Sequence, residues 1–279
     1  MQPAVRVGGQ TNMKRIGLGL LATVLLAGCG GKPATPANPA NPATPAATRA
    51  AEPQQQAAPS PTDRRCADPD LNDKQVAFPG TGGFLTGLLL GTGRTVLVLA
   101  PQASADACSW LSWARQEAAA GYRVLALDFA GEGRSQRGTG GKASADVLSA
   151  VAYVRSLGVE RVVLIGASRG GTAVLVAAAA ADPPVTAVVS LSAPDTYAGE
   201  SAAAAAPRIT VPVLYVAATG ESAFAAAAQT MYDATTDPRR RIALVPGSLH
   251  GTSLLTITAA GAVEATKAVT DFLTQTAPS

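Results

Sequence analysis

Histidine is almost missing from this chain: 279 residues contain one, His250, near the C-terminus. Cysteine is scarce as well, with three residues far apart at Cys29, Cys66 and Cys108. One imidazole and no cysteine cluster exclude the common zinc-binding spacings, and no glycine-rich phosphate loop is present. Neither a metal nor a cofactor is therefore expected. Charged residues make up 15% of the chain, with a formal net charge of +3. That excess lies in the first 65 residues, where seven Lys/Arg face two Asp/Glu; residues 66–279 hold fifteen against seventeen and are mildly acidic. Arg239-Arg240-Arg241 reads as a solvated strand entry, so nothing points to nucleic-acid binding. Also lacking is an apolar run of the ~20 residues that a bilayer span requires.

What the N-terminus has instead is short. Lys14-Arg15 precede an apolar run at 16–26, which ends in Leu26-Ala27-Gly28-Cys29. A basic start, a brief apolar stretch and small residues before a cysteine resemble a bacterial lipoprotein signal. The resemblance implies cleavage before Cys29 and lipidation of its thiol. It makes residues 1–28 a signal peptide, with 1–12 as an upstream extension if Met13 is the true start. Residues 29–65 are rich in Pro, Ala, Thr and Gln and cannot bury a core, so they read as a disordered tether. These features predict a lipid-anchored, extracytoplasmic protein of the bacterial cell envelope, touching the membrane through Cys29. Residues 66–279 have the size of one folded domain. Within it, Cys66 and Cys108 form an even pair, for which export to an oxidising compartment predicts a disulfide.

Strand-like and helix-like segments alternate through that domain. A hairpin is expected at 74–78 and 84–90. Buried strands are expected at 95–100 and 161–165, and further strands at 122–127, 185–191, 211–217 and 241–245. The expected helices cover 109–119, 144–157, 172–180, 224–233 and 263–274. Such alternation makes a mostly parallel, twisted sheet covered by helices on both faces. The strand at 161–165 runs directly into Gly166-Ala167-Ser168-Arg169-Gly170. A G-x-S-x-G sequence on a strand-to-helix turn lifts the serine above the sheet, and glycines on either side leave room for the tight backbone. A serine hydroxyl needs a base, and the one imidazole in the chain, His250, follows it in sequence order.

Four segments together resemble the α/β-hydrolase family over nearly all of residues 70–276. They are Val96-Leu97-Val98-Leu99-Ala100-Pro101, the strand and turn at 121–135, the 166–170 elbow, and Pro246-Gly247-Ser248-Leu249-His250-Gly251. The likeness extends to small esterases and dienelactone hydrolases. It implies an α/β-hydrolase fold in which Ser168 is the nucleophile and His250 the base. The acid is expected after the strand at 211–217, at Glu221, with Asp195 after the preceding strand as the alternative. Asp128 takes a structural place, holding the 131–135 turn. The oxyanion donors implied are the backbone N–H groups of Arg169 and Gln102, although relatives often carry His-Gly where this chain has Pro101-Gln102. Between residues 191 and 209 there is only a short Ala-rich stretch, so a minimal lid and an open site are expected, with Trp110 and Trp113 either lining it or in the core. The function implied is a serine hydrolase cleaving a carboxylic ester or similar acyl bond of a small molecule. The alternatives are an acyltransferase using the same triad and a non-catalytic envelope binding protein on the same fold. Substrate identity and oligomeric state do not follow from the sequence.

Overall fold

The computed structural model describes residues 65–138 and 141–279. The expected signal, lipidated Cys29 and almost all of the tether lie outside the described residues. The domain opens with two short 3-10 segments, Arg65–Ala67 and Pro69–Lys74, the second capped by the Asp68 carboxylate, which accepts the Asp70 N–H at 3.0 Å. Its strands follow from apolar, β-branched runs. β1 (Gln75–Pro79) and β2 (Phe84–Leu90) form an antiparallel hairpin. β3 (Thr95–Ala100) leads to α1 (Leu111–Ala119), β4 (Arg123–Asp128), α2 (Ala143–Ser156), β5 (Arg161–Ala167) and α3 (Arg169–Ala178). β6 (Ala187–Leu191) is followed by a small ribbon of β7 (Thr196–Tyr197) and β8 (Glu200–Ser201), then α4 (Ala202–Ala205). β9 (Val213–Ala218), α5 (Ser222–Ala234), β10 (Arg241–Val245), α6 (Ser253–Thr256) and α7 (Ala260–Thr276) complete the domain.

The eight-stranded sheet has the order β1-β2-β4-β3-β5-β6-β9-β10. β2 pairs antiparallel with β4, and every pairing from β4 to β10 is parallel. Central strands are buried on both faces, as every residue of β3 is, because helices cover both sides. One layer packs α2, α3 and α5 against the sheet; the other packs α1 and α7. The chain leaves β3 in one direction to β4, then returns to its other side at β5. Loops diverging from neighbouring strands at such a reversal open a crevice at the strands' C-terminal ends.

Several expected boundaries shift for local reasons. Pro212 has no N–H to give to a ladder, so β9 starts at Val213 while the Pro212 carbonyl accepts the Val188 N–H at 2.9 Å. The helix expected at 109 begins as a 3-10 turn, Ala107–Trp110, and becomes α-helical at Leu111. α1 ends at Gly121, whose φ of +100° lets the Gly121 and Tyr122 N–H groups reach carbonyls of the last turn. The ribbon, α4 and α6 were not expected. Trp110 and Trp113 are fully buried in the α1 layer, which makes them core residues and not part of the site lining. The sulfurs of Cys66 and Cys108 are bonded, with their Cα atoms 5.4 Å apart.

Candidate active site

Ser168 sits between the end of β5 and the start of α3 with φ 51° and ψ −116°, a conformation a side-chain-bearing residue holds only under constraint. The constraint is visible. The Ser168 N–H donates to the Leu191 carbonyl at 2.8 Å, and the Ser168 carbonyl accepts from Thr172 N–H at 3.1 Å. A Cβ on Gly166 would strike the Gly170 backbone, and one on Gly170 would strike the Ala100 and Pro101 carbonyls. Both glycines are thus required by close approach, and the second brings the loop after β3 hard against the start of α3.

Glu221 and His250 come from the loops after the adjacent strands β9 and β10. These loops are tied by Thr219 N–H to Val245 carbonyl at 2.8 Å and by Gly220 N–H to Gly247 carbonyl at 2.7 Å. His250 Nδ1 lies 3.0 Å from the Glu221 carboxylate, whose side chain is 17% exposed against 31% for the histidine. An ionised carboxylate only accepts, so the proton belongs on Nδ1 and Nε2 keeps its lone pair. Phe224, in the first turn of α5, lies against the imidazole with ring centroids 4.6 Å apart. Its N–H donates to the Glu221 carbonyl at 2.9 Å, so one helix start supplies both the carboxylate and the ring that hold His250.

The histidine loop also seats on the elbow. Gly251 N–H donates to Ser192 Oγ at 3.2 Å, and Gly251 lies beside Ala167, the residue before Ser168. Among the described residues no hydrogen bond joins Ser168 Oγ to His250; in unliganded sites such contacts are often long. Asp195 is not paired with His250. Its carbonyl accepts Ala203 N–H at 3.2 Å, and it lines a cavity of about 290 Å³ with Pro194, Phe224 and Ala227.

The Arg169 N–H is the first of α3 and has no intrahelical acceptor. Its guanidinium forms a bidentate pair with Glu132 at 2.7 and 2.9 Å and lies over the Phe129 ring, 4.2 Å from its centroid. Asp146, nearby, accepts the Ala130 N–H at 2.9 Å, and burial pushes its carboxyl above the ordinary range. The Gln102 side chain has a role that sequence reasoning missed. Its Oε1 accepts from the Thr252 N–H at 3.1 Å and the Thr252 hydroxyl at 3.2 Å, which ties the loop after β3 to the histidine loop. Glu132 and Phe224 were missed as well. Neither lies in a motif, and both matter only through contacts distant in sequence. Asp128 holds its turn, accepting from Thr86 Oγ1 at 2.6 Å, Ala107 N–H at 2.9 Å and Arg134 N–H at 3.2 Å. Among the described residues no group of His, Cys, Asp or Glu is arranged to hold a metal ion.

Residues 95–204, from β3 through the elbow to α4, match the family model for the alpha/beta hydrolase fold. No curated protein is significantly similar to the sequence. Solved structures with the same architecture include a monoacylglycerol lipase from Paleococcus ferrophilus (TM-score 0.58, 17% identity, 69% of this chain and 99% of that one). Est1E from Butyrivibrio proteoclasticus, solved with ferulic acid, aligns with TM-score 0.60 at 16% identity over 72% of this chain and 98% of its own. A dienelactone hydrolase from Anabaena variabilis gives 0.58 at 20% identity over 72% and 96%. Identities this low speak for the fold alone. Sheet order, elbow and family model agree: the chain is an α/β-hydrolase-fold protein.

Proposed function

We propose that this chain is a serine hydrolase that cleaves a carboxylic ester or related acyl bond of a small molecule, and that it works tethered to the bacterial envelope through a lipid on Cys29. The observation that carries the catalytic reading is the Glu221–His250 pair, on a loop seated against the elbow that bears Ser168. Ser168 Oγ attacks the substrate carbonyl while His250 Nε2 takes its proton, and the Glu221 carboxylate stabilises the imidazolium. Charge developing on the carbonyl oxygen is met by the backbone N–H groups of Arg169 and Gln102. His250 then returns the proton to the leaving alcohol, and a water activated by the same imidazole releases the acyl group.

The ester class draws support from the lipase, esterase and dienelactone hydrolase among the structural relatives. Ser104, Asp106, Ser109 and Glu132 line a cavity of about 410 Å³ beside the loop after β3. The test is labelling with a fluorophosphonate, which reacts only with an activated serine. Wild-type protein should be labelled and should hydrolyse a p-nitrophenyl ester, and Ser168→Ala should lose both while keeping its circular dichroism spectrum. Failure of the wild-type protein to react would leave a binding protein on a hydrolase fold.

A further inference from the structure

The N-terminal ends of the central strands, opposite the catalytic loops, carry a concentration of one charge. β4 and β5 flank β3, and an arginine stands at or just before the start of each: Arg123 is the first residue of β4, Arg161 the first of β5, and Arg94 directly precedes β3. The register sets Arg123 opposite Val96 and Arg161 opposite Thr95, one position apart, so these two side chains start from opposite faces of the sheet and meet only around the strand ends. Strands in a sheet lie roughly 4.8 Å apart, so the three arginines are rooted at one end of three neighbouring strands. All three line one cavity of about 400 Å³, together with Thr92, Leu157 and Glu160. Arg123 donates to the Thr92 carbonyl at 3.2 Å, and among the described residues none of the three forms an ion pair with a carboxylate.

Guanidinium groups stay charged at any physiological pH, so their mutual repulsion cannot be relieved by losing a proton. Lining groups supply three positive charges against the single carboxylate of Glu160, in a domain whose residues 66–279 are net negative. A pocket of that charge is completed by an anion with several acceptor oxygens, which planar forks can grip in pairs. We propose that this cavity binds a phosphate group, at a site separate from the catalytic crevice by the length of the sheet's strands. The phosphate belongs either to a free ion or to the headgroup of an anionic phospholipid. Leu157, 41% exposed at the rim, offers the apolar contact that a headgroup brings with it.

The test uses the full chain and two variants, Arg94→Gln with Arg161→Gln, and Arg161→Gln alone. Arg123 is kept because its bond to Thr92 supports the fold. Calorimetric titration with inorganic pyrophosphate reads the free-ion arm. Co-sedimentation with phosphatidylglycerol vesicles against phosphatidylcholine vesicles reads the headgroup arm. The double variant should bind at least tenfold more weakly in whichever arm the wild-type protein binds, the single variant should fall between, and binding should weaken as salt rises. Pyrophosphate binding without a preference for phosphatidylglycerol identifies a free phosphate; the preference without pyrophosphate binding identifies the lipid. The proposal is overturned if the wild-type chain binds in neither arm, or if both variants bind as it does. Ester hydrolysis should be unchanged in both, since neither arginine lies near Ser168.

Discussion

At the scale of single residues, the choice between two carboxylates separates what a motif can specify from what contacts must decide. Asp195 follows β6, the strand next to the elbow strand, and Glu221 follows β9, one strand further out; the family likeness puts Glu221 first and Asp195 second. In the structure Glu221 reaches His250 Nδ1 at 3.0 Å, whereas Asp195 faces the cavity beside α5. Glu221→Gln keeps the size of the side chain but removes the charge that orients the ring and stabilises imidazolium. It should lower kcat on a p-nitrophenyl ester by about 10²–10⁴-fold. Asp195→Asn should change kcat severalfold at most. Steady-state kinetics on the two purified variants checks the ranking, and the reverse order would move the acid to the loop after β6. Ser168 and His250 were legible because each is marked, one by its glycines and the other by being the chain's lone imidazole. Phe224, Glu132 and the Gln102 side chain carry no such mark. Each works through a partner between 26 and 150 positions away, as with Phe224 on His250, Glu132 on Arg169 and Gln102 on Thr252.

Among elements, the segment between β3 and α1 does the most with the least regular structure. Asp106 caps its 3-10 turn by accepting Cys108 N–H at 2.8 Å, Asp128 accepts Ala107 N–H at 2.9 Å, and Cys108 is bonded to Cys66. Gln102, at the front of the same segment, is fastened to Thr252. The loop that would present an oxyanion donor is therefore held from both ends. Strand interiors were legible here because apolar, β-branched runs have one good use in a sheet covered on both faces. Strand ends were less so, since they depend on details such as the missing N–H of Pro212. Cutting the disulfide should test how much of the loop's order is built in without it. The bond spans 42 positions, which corresponds to up to about 4 kcal/mol in a chain-entropy account. Reduction, or Cys66→Ser, should lower Tm by several degrees, read by differential scanning calorimetry. Activity at 25 °C should fall much less, because the backbone bonds to Asp106 and Asp128 remain. An equal loss of activity and stability would mean that the disulfide itself sets the loop geometry.

The whole molecule joins a folded domain that speaks through geometry to a leading segment that speaks only through composition. Fold class was readable because strand and helix segments alternate across 75–276, whereas the strand order, with its reversal around β3, depends on contacts that the alternation does not specify. Residues 1–64 lie outside the described structure, so the envelope reading rests on chemistry: a basic pair, an apolar run of eleven residues at 16–26, small residues and Cys29. An eleven-residue run is about half of what a bilayer span requires, so the protein should be held by an acyl group on sulfur and not by that segment. Cys29→Ser removes the attachment atom while leaving the run intact. In a bacterial host, wild-type protein should fractionate with membranes, incorporate labelled palmitate and have lost its first 28 residues. The variant should incorporate no palmitate. With no lipid attached, it should move to the soluble fraction; recovery in the membrane pellet as an uncleaved precursor would show that residues 16–28 act as a simple anchor. Wild-type protein that sediments with membranes yet carries no palmitate and keeps residues 16–28 would show that the apolar run is itself the anchor, and the lipid reading would be wrong.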